Sequence, residues 1–342
     1  MTIRVLVSGI ACAVAVLMTS VVAAQREAGA AVTSHVVFTT STSAAAETID
    51  TAGLVARSNG VIVPIVDVAA APPLSLVVIV DVTSSVSEAM VGFVWDGRGK
   101  ANDARPSGMR VADSPSALFL SPLLRGVVRA MAAGDRVRFG RVADAPELGR
   151  EFATDAATLG RAARWVVDVP ADVRHGRTPI WDAVDMAVSA LEAERGRRRA
   201  ILLVTDGLST GNRVGLDAVI ERAAHADVAV FVVGEAWGNP RSARGWSLVD
   251  RTDAPWFRMT GASTSPFGHL QRLARATGGV FLADGHDGGP VPERRFRDVM
   301  NLLHRSYSVT VASPLLPGES ATLSILSPDP AVEVHVRDRY RR

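Results

Sequence analysis

Three oxygen-bearing side chains stand at alternate positions directly after an apolar run. The run Leu76–Val80 ends in a loop, and Asp81, Thr83 and Ser85 give that loop one carboxylate and two hydroxyls. Oxygen donors without a neighbouring His or Cys favour Mg²⁺ over zinc or copper. The same residue types also form turns and helix caps in many α/β proteins. Taken alone, the loop is therefore compatible with a metal site and with an ordinary turn.

Two later segments carry residues that match this loop. Thr178 stands just before a helical pattern, and a second apolar run, Ile201–Thr205, ends in Asp206 and Gly207. Together with the first loop, they resemble the metal-ion-dependent adhesion site (MIDAS) of von Willebrand factor type A (VWA) domains. Residue by residue, the resemblance assigns the metal to Asp81, Thr83, Ser85, Thr178 and Asp206.

The resemblance implies both a cofactor and a kind of partner. In that family two hydroxyls hold Mg²⁺ directly, while the Thr and Asp side chains bind it directly or through water; Mn²⁺ or Ca²⁺ are alternatives. A protein ligand supplies an Asp or Glu for the remaining position. Thr83 stands where Ser is usual, but it keeps the hydroxyl. More narrowly, the chain resembles bacterial secreted "VWFA-related" proteins.

The elements that must position these residues alternate along the chain from Leu74 onward. Buried strands and amphipathic helices predict an α/β fold with a doubly wound, mostly parallel sheet and helices on both faces, VWA-like or Rossmann-like. Strands are predicted at 75–81, 136–142, 200–205, 228–234 and 279–283. Helices are predicted at 117–132, 156–167, 179–194, 216–225, 267–276 and 292–304.

The two ends of the chain differ from this middle part. Runs at His35–Thr40 and Val61–Val68 predict short strands, and three more at 307–312, 320–326 and 332–337 predict a small C-terminal β module. That module is expected to pair with Val61–Val68 or to pack on the main domain. The predicted division is 1–24 signal peptide, 25–73 N-terminal segment and linker, 74–305 VWA domain, and 306–342 C-terminal β module.

The first residues predict export. Arg4, an apolar core and the small residues Ala23 and Ala24 are typical of a secretory signal peptide. An uncleaved anchor helix is the alternative. After cleavage we expect a periplasmic or secreted chain without a transmembrane span, because no later apolar run approaches the roughly 20 residues that a span needs. The single cysteine, Cys12, lies in the signal segment, so the mature chain is expected to contain no disulfide.

Composition narrows the class of partner. With 48% hydrophobic and 21% charged residues the chain is globular, and a net charge of +2 argues against nucleic acid as a partner. Trp and Arg, which often dominate protein interfaces, are concentrated in two insertions, 94–115 and 236–266. The alternative is that these tryptophans pin the loops onto the domain. The predicted partner-binding residues are Trp95, Trp237, Arg244, Trp246 and Trp256.

The sequence therefore predicts an exported, metal-dependent adhesion or interaction module that is not an enzyme. One alternative is a Mg²⁺-dependent hydrolase of the cell envelope, which needs a general base near the metal. Asp81, Asp206 and His175 are the only candidates for that base that the sequence suggests. The other alternative is a structural VWA protein whose metal site stays vacant.

Overall fold

The computed structural model describes residues 33–42, 53–83, 125–169, 177–235, 266–284, 293–312, 315, 319–337 and 339–341. In chain order, the strands are β1 (Thr33–Thr42), β2 (Val55–Ser58), β3 (Val61–Val63), β4 (Ile65–Ala70), β5 (Leu74–Asp81), β6 (Arg136–Val142), β7 (Pro146–Leu148), β8 (Arg198–Thr205), β9 (Val228–Glu235), β10 (Phe281–Asp284), β11 (Ser306–Ala312), β12 (Ser320–Leu326), β13 (Val332–Val336) and β14 (Arg339–Arg341). The helices are α1 (Ala156–Val167), α2 (Ile180–Glu192), α3 (Leu216–His225), α4 (Pro266–Thr277) and α5 (Glu293–His304). Residues 125–129 are also helical.

A six-stranded sheet forms the centre of the molecule. Its strands lie in the order β10-β9-β8-β5-β6-β7. Neighbours pair in parallel from β10 to β6, and β7 pairs antiparallel with β6 at the edge. Because β5 comes first in the chain and lies between β6 and β8, the winding direction reverses at β5. Ligands of such doubly wound sheets bind at this switch point, outside the carboxyl ends of the strands.

Helices cover both faces of the central sheet. All eight residues of β5 are buried. Leu76, Val78 and Val80 pack in a core with side chains of α1 and α5. Val77 and Ile79 pack on the other face with α2, α3 and α4. Each fully buried aliphatic side chain contributes about 1.5–3 kcal/mol, so burial on both faces fixes the strand that carries Asp81. The predicted doubly wound fold is confirmed.

Strands from the two ends of the described chain form one β module. One sheet has the order β13-β1-β11-β4 and a second has the order β14-β12-β2-β3. All pairings within them are antiparallel. Their shared core includes Val36, Phe38, Val309, Leu323 and Ile325. The N-terminal strands therefore complete the sheets that the C-terminal strands begin.

The predicted run Val61–Val68 is wrong as a single strand. It forms β3 and β4, which separate at Pro64 and join different sheets. Proline has no N–H for a strand ladder, so a break there is expected. The short strands β2, β7 and β14 had no sequence pattern long enough to predict them. None of the helices in the described part of the chain is long and apolar enough to cross a membrane.

Candidate metal centre

Asp81 lies at the carboxyl end of β5, at the switch point of the central sheet, and is 1% exposed. Its Oδ1 accepts hydrogen bonds from the Thr83 hydroxyl at 2.6 Å and from the Thr83 N–H at 3.1 Å. Its Oδ2 accepts one from the Thr205 hydroxyl at 2.7 Å. Three donors from two neighbouring strand ends therefore hold the carboxylate in one orientation.

A second carboxylate, Asp206, follows β8 directly. Its Oδ1 accepts the Leu208 N–H at 2.9 Å. Burial, and then the charge of Asp206, raise the pKa of Asp81 to about 7, although hydrogen bonds from Thr83 and Thr205 act in the opposite direction. A nearby cation would favour the ionised form of both carboxyls. The pair thus has the electrostatics of a cation site.

Thr178 is buried on the segment that leads into α2, and it is tied to the loop after β8. Its N–H donates to Thr210 Oγ1 at 3.0 Å, and its carbonyl accepts the Thr210 N–H at 2.9 Å. Within the described residues the Thr178 hydroxyl makes no hydrogen bond of its own. This side chain therefore offers a hydroxyl oxygen that is available as a ligand.

The loop after β8 is fixed against the start of α2. Asn212 Oδ1 accepts the Trp181 N–H at 2.8 Å and so caps the helix. In the opposite direction, Asp182 Oδ1 in α2 accepts hydrogen bonds from the loop N–H groups of Arg213 and Val214, each at 2.9 Å. Gly211 has φ +68°, and a Cβ there would lie 2.4 Å from Arg177 Cδ, so only glycine fits this turn.

The structure thus brings Asp81, Thr83 and Asp206 together at the end of the central sheet and holds Thr178 on the adjoining loop. The predicted ligand Ser85 lies outside the described residues. So do the predicted interface residues Trp95, Trp237, Arg244, Trp246 and Trp256.

The donor set fits a hard divalent cation. It consists of carboxylates and hydroxyls, and no group of three or more His, Cys, Asp or Glu side chains forms within the described ranges. Oxygen ligands of this kind suit Mg²⁺, Mn²⁺ or Ca²⁺. Because few of the ligands are charged, we expect the affinity of the site for the cation to be modest.

Sequence reasoning missed three residues that organise the centre: Thr205, Thr210 and Asn212. Thr205 left a signal, because it is a polar residue that directly follows the apolar run Ile201–Val204. In the structure it is fully buried. Buried hydroxyls normally have a hydrogen-bond partner, and Asp81 is that partner. Thr210 and Asn212 have no comparable sequence signal.

No protein-family model and no curated protein matches the chain. Among solved structures, it is similar to the conserved hypothetical protein BatB of Bacteroides thetaiotaomicron, with 15% identity over 67% of this chain and 97% of that one and a TM-score of 0.42. A von Willebrand factor type A structure from Catenulispora acidiphila has 10% identity over 90% and 72% of the two chains and a TM-score of 0.46. Proximal thread matrix protein 1 of the mussel byssus, solved with a zinc-occupied MIDAS motif, has 14% identity over 71% and 48% and a TM-score of 0.45.

The doubly wound order of the central sheet and the helices on both of its faces are the features that the VWA resemblance implied. The chain has a VWA-like fold. Its VWA-like domain carries the candidate metal centre at the end of β5 and β8, and its β module lies at the other end of the same sheet, where β1 and β11 meet the start of β8.

Proposed function

We propose that this chain is an exported protein that binds a protein ligand through a divalent cation, with Mg²⁺ as the preferred ion. Asp81, Thr83, Thr178 and Asp206 would hold the cation directly or through water, together with Ser85. The bound cation would supply a positive charge that attracts an Asp or Glu of the ligand. The pattern of residues 1–24 supports export to the periplasm or the medium.

The observation that carries this proposal is the pairing of two carboxylates with free and bound hydroxyls at the switch point. Burial and the charge of Asp206 raise the pKa of Asp81 to about 7. Two carboxyls held this close favour a cation between or beside them. The available Thr178 hydroxyl supplies a further hard donor on the facing loop.

We place binding ahead of hydrolysis because Asp81 is poorly suited to act as a base. Both of its oxygens already accept hydrogen bonds, three in all, from Thr83 and Thr205. A general base must be able to reach a proton on the reacting group. Asp206 accepts the Leu208 N–H in the same orienting manner. These contacts favour a role in holding an ion.

The first test is titration of the purified protein with Mg²⁺ by calorimetry. Asp206→Asn should abolish the binding heat. The matched control is Asp217→Asn, which removes an exposed carboxylate that pairs with Arg272 away from the centre. If both variants bind Mg²⁺ as well as the wild type, the metal assignment is wrong.

A second test identifies the class of function. Immobilised protein is incubated with its own envelope fraction and culture medium, in Mg²⁺ and in EDTA. Ligands retained only in Mg²⁺, and lost with Asp206→Asn but not with Asp217→Asn, support cation-dependent binding. Amidation of carboxyl groups on those ligands should also abolish capture. Retention of the same ligands in EDTA would contradict the proposal.

A further inference from the structure

Arg177, the residue before Thr178, lies across the end of β5 and beside the candidate metal centre. Its N–H donates to Asp144 Oδ1 at 3.0 Å, in the loop after β6. The next N–H, that of Thr178, donates to Thr210 Oγ1 at 3.0 Å, in the loop after β8. Because β5 lies between β6 and β8 in the sheet, this segment crosses the strand end that carries Asp81.

The side chain of Arg177 is held in place by its alkyl stem. A Cβ on Gly211 would lie less than 3.0 Å from Cβ, Cγ and Cδ of Arg177. The stem therefore rests against the backbone of the loop after β8, in space that only a glycine leaves open. The side chain is nevertheless 61% exposed, so its charged end faces solvent. A guanidinium held in this way loses less side-chain entropy when it binds a partner.

The guanidinium has little to bind within the protein. Its one ion pair in the described part of the chain is with Asp144, where Nε lies 3.7 Å from Oδ1. That distance is too long for a hydrogen bond, and no described residue accepts one from this guanidinium. Asp144 is 52% exposed, and the same Oδ1 already accepts the Arg177 N–H. Since so exposed a pair contributes little free energy, a carboxylate from outside can replace Asp144 at low cost.

We propose that Arg177 binds a second carboxylate of the protein ligand, beside the one that the cation holds. This inference rests on the proposed function and adds that the ligand presents two neighbouring acids. The cation is expected at the ends of β5 and β8, whereas the guanidinium lies beside Asp144 after β6. Neighbouring strands are about 4.8 Å apart, so the two positive charges are separated by roughly 5–10 Å.

An Asp-Gly-Asp segment in extended conformation matches this separation. Its two acidic side chains lie on the same side of the chain, about 7 Å apart. One carboxylate would complete the shell of the cation, and the other would accept two parallel hydrogen bonds from the planar guanidinium. A ligand with a single acid would make only the first contact. Arg177 would thus select diacidic over monoacidic ligands.

Two synthetic peptides test this selection: acetyl-Gly-Asp-Gly-Asp-Gly-amide, and the same peptide with Asn in place of the second Asp. Their Kd values are measured by NMR titration of the protein in saturating Mg²⁺. The wild type should bind the diacidic peptide about tenfold more tightly, about fivefold from the ion pair and about twofold because either acid can reach the cation. Arg177→Gln should reduce the ratio to about twofold. The matched control Arg195→Gln removes an exposed arginine at the opposite end of the sheet and should keep the wild-type ratio.

A change in the opposite direction comes from Asp144→Asn. This variant keeps an oxygen that accepts the Arg177 N–H but removes the competing charge, so the ratio should rise above that of the wild type. A ratio of about two in the wild type, or an undiminished ratio in Arg177→Gln, would overturn the inference and leave the proposed function standing. Binding of neither peptide in Mg²⁺ would also overturn the inference. Equal affinities in Mg²⁺ and in EDTA would contradict the proposed function itself.

Discussion

The two ends of the central sheet carry buried charge of opposite sign. At the carboxyl ends of the strands, Asp81 and Asp206 lie together and the pKa of Asp81 is raised. At the amino end of β8, the buried Arg198 has Asp135 as a charged neighbour, and Arg199 lies 3.8 Å from Asp227. The arginines of this basic end thus lie beside carboxylates, whereas at the acidic end two carboxylates lie beside each other. The difference teaches that one sheet can pair opposite charges at one end and hold like charges together at the other, because the strands fix each group in place.

The largest expected effect that tests this comparison is that of a substitution at the acidic end. Asp206→Asn should weaken Mg²⁺ binding by at least about 100-fold, since even residues behind a metal ligand typically change affinity 10–100-fold. In EDTA the same variant should raise the free energy of unfolding by about 1 kcal/mol, because Asp206 no longer repels Asp81. Calorimetry and urea unfolding measure the two effects. A variant that loses both affinity and stability in EDTA would contradict the electrostatic interpretation.

The next effect concerns the junction at the basic end. Gly278→Ala should destabilise the protein by about 2 kcal/mol or more. Gly278 has φ +80°, and a Cβ there would lie 2.6 Å from the Arg337 nitrogen. Thermal or urea unfolding measures the change.

Gly160→Ala is the matched control, because Gly160 lies in α1 with nothing within 4 Å of a new Cβ. Alanine there should stabilise the helix by about 0.5–1 kcal/mol. Similar destabilisation by both substitutions would show that the contact with the β module is unimportant.

A smaller effect tests the role of the loop after β8, which holds Thr178 at the acidic end. Thr210→Val removes the hydroxyl that accepts the Thr178 N–H. The free energy of unfolding should fall by about 1 kcal/mol, and Mg²⁺ should bind about tenfold more weakly because Thr178 is less well held. Thr158→Val, in α1 and away from the centre, should leave Mg²⁺ binding unchanged. Undiminished affinity in Thr210→Val would show that Thr178 does not contribute to the site.

The smallest effect is a pH dependence at the basic end. Burial raises the pKa of Asp135, but hydrogen bonds from His304, Leu74 and Ala132 outweigh it and hold the pKa below its ordinary value. The stabilisation is therefore present above the pKa of the unfolded chain, near 3.9, and is lost as pH falls through the lower folded value. Urea unfolding between pH 6 and pH 3 should show this loss. Asp135→Asn has a neutral amide at this position, so its free energy of unfolding should not show this part of the decrease at low pH.

Much of the VWA-like domain could be predicted from its sequence, and much of the β module could not. The run Leu76–Val80 indicates a strand buried on both faces, and its end positions Asp81. Alternating segments such as Val332–Val336 indicate a strand but do not specify its partner. The pairing of β1 with both β11 and β13 therefore emerges only in the folded chain.

The same distinction holds within the candidate metal centre. Asp81, Thr83, Thr178 and Asp206 belong to recognisable local patterns. The residues that hold them act across long separations: Thr205 reaches Asp81 over 124 residues and Thr210 reaches Thr178 over 32. A hydroxyl at such a position has no local spacing that identifies its partner. Only the fold shows which hydroxyls orient ligands and which are turn formers.

The pairing of β1 with β11 has a consequence for how the chain matures. The Thr39 and Ser306 hydroxyls that meet at this junction are 267 residues apart in sequence. Because β11 follows β1 at this separation, β1 lacks its partner β11 until that stretch of chain is in place. Contacts between such distant segments form slowly because a long loop must close first. We therefore expect the pairing of β1 with β11 to form slowly, and a product truncated before Ser306 would leave β1 without this partner and exposed to wrong ones.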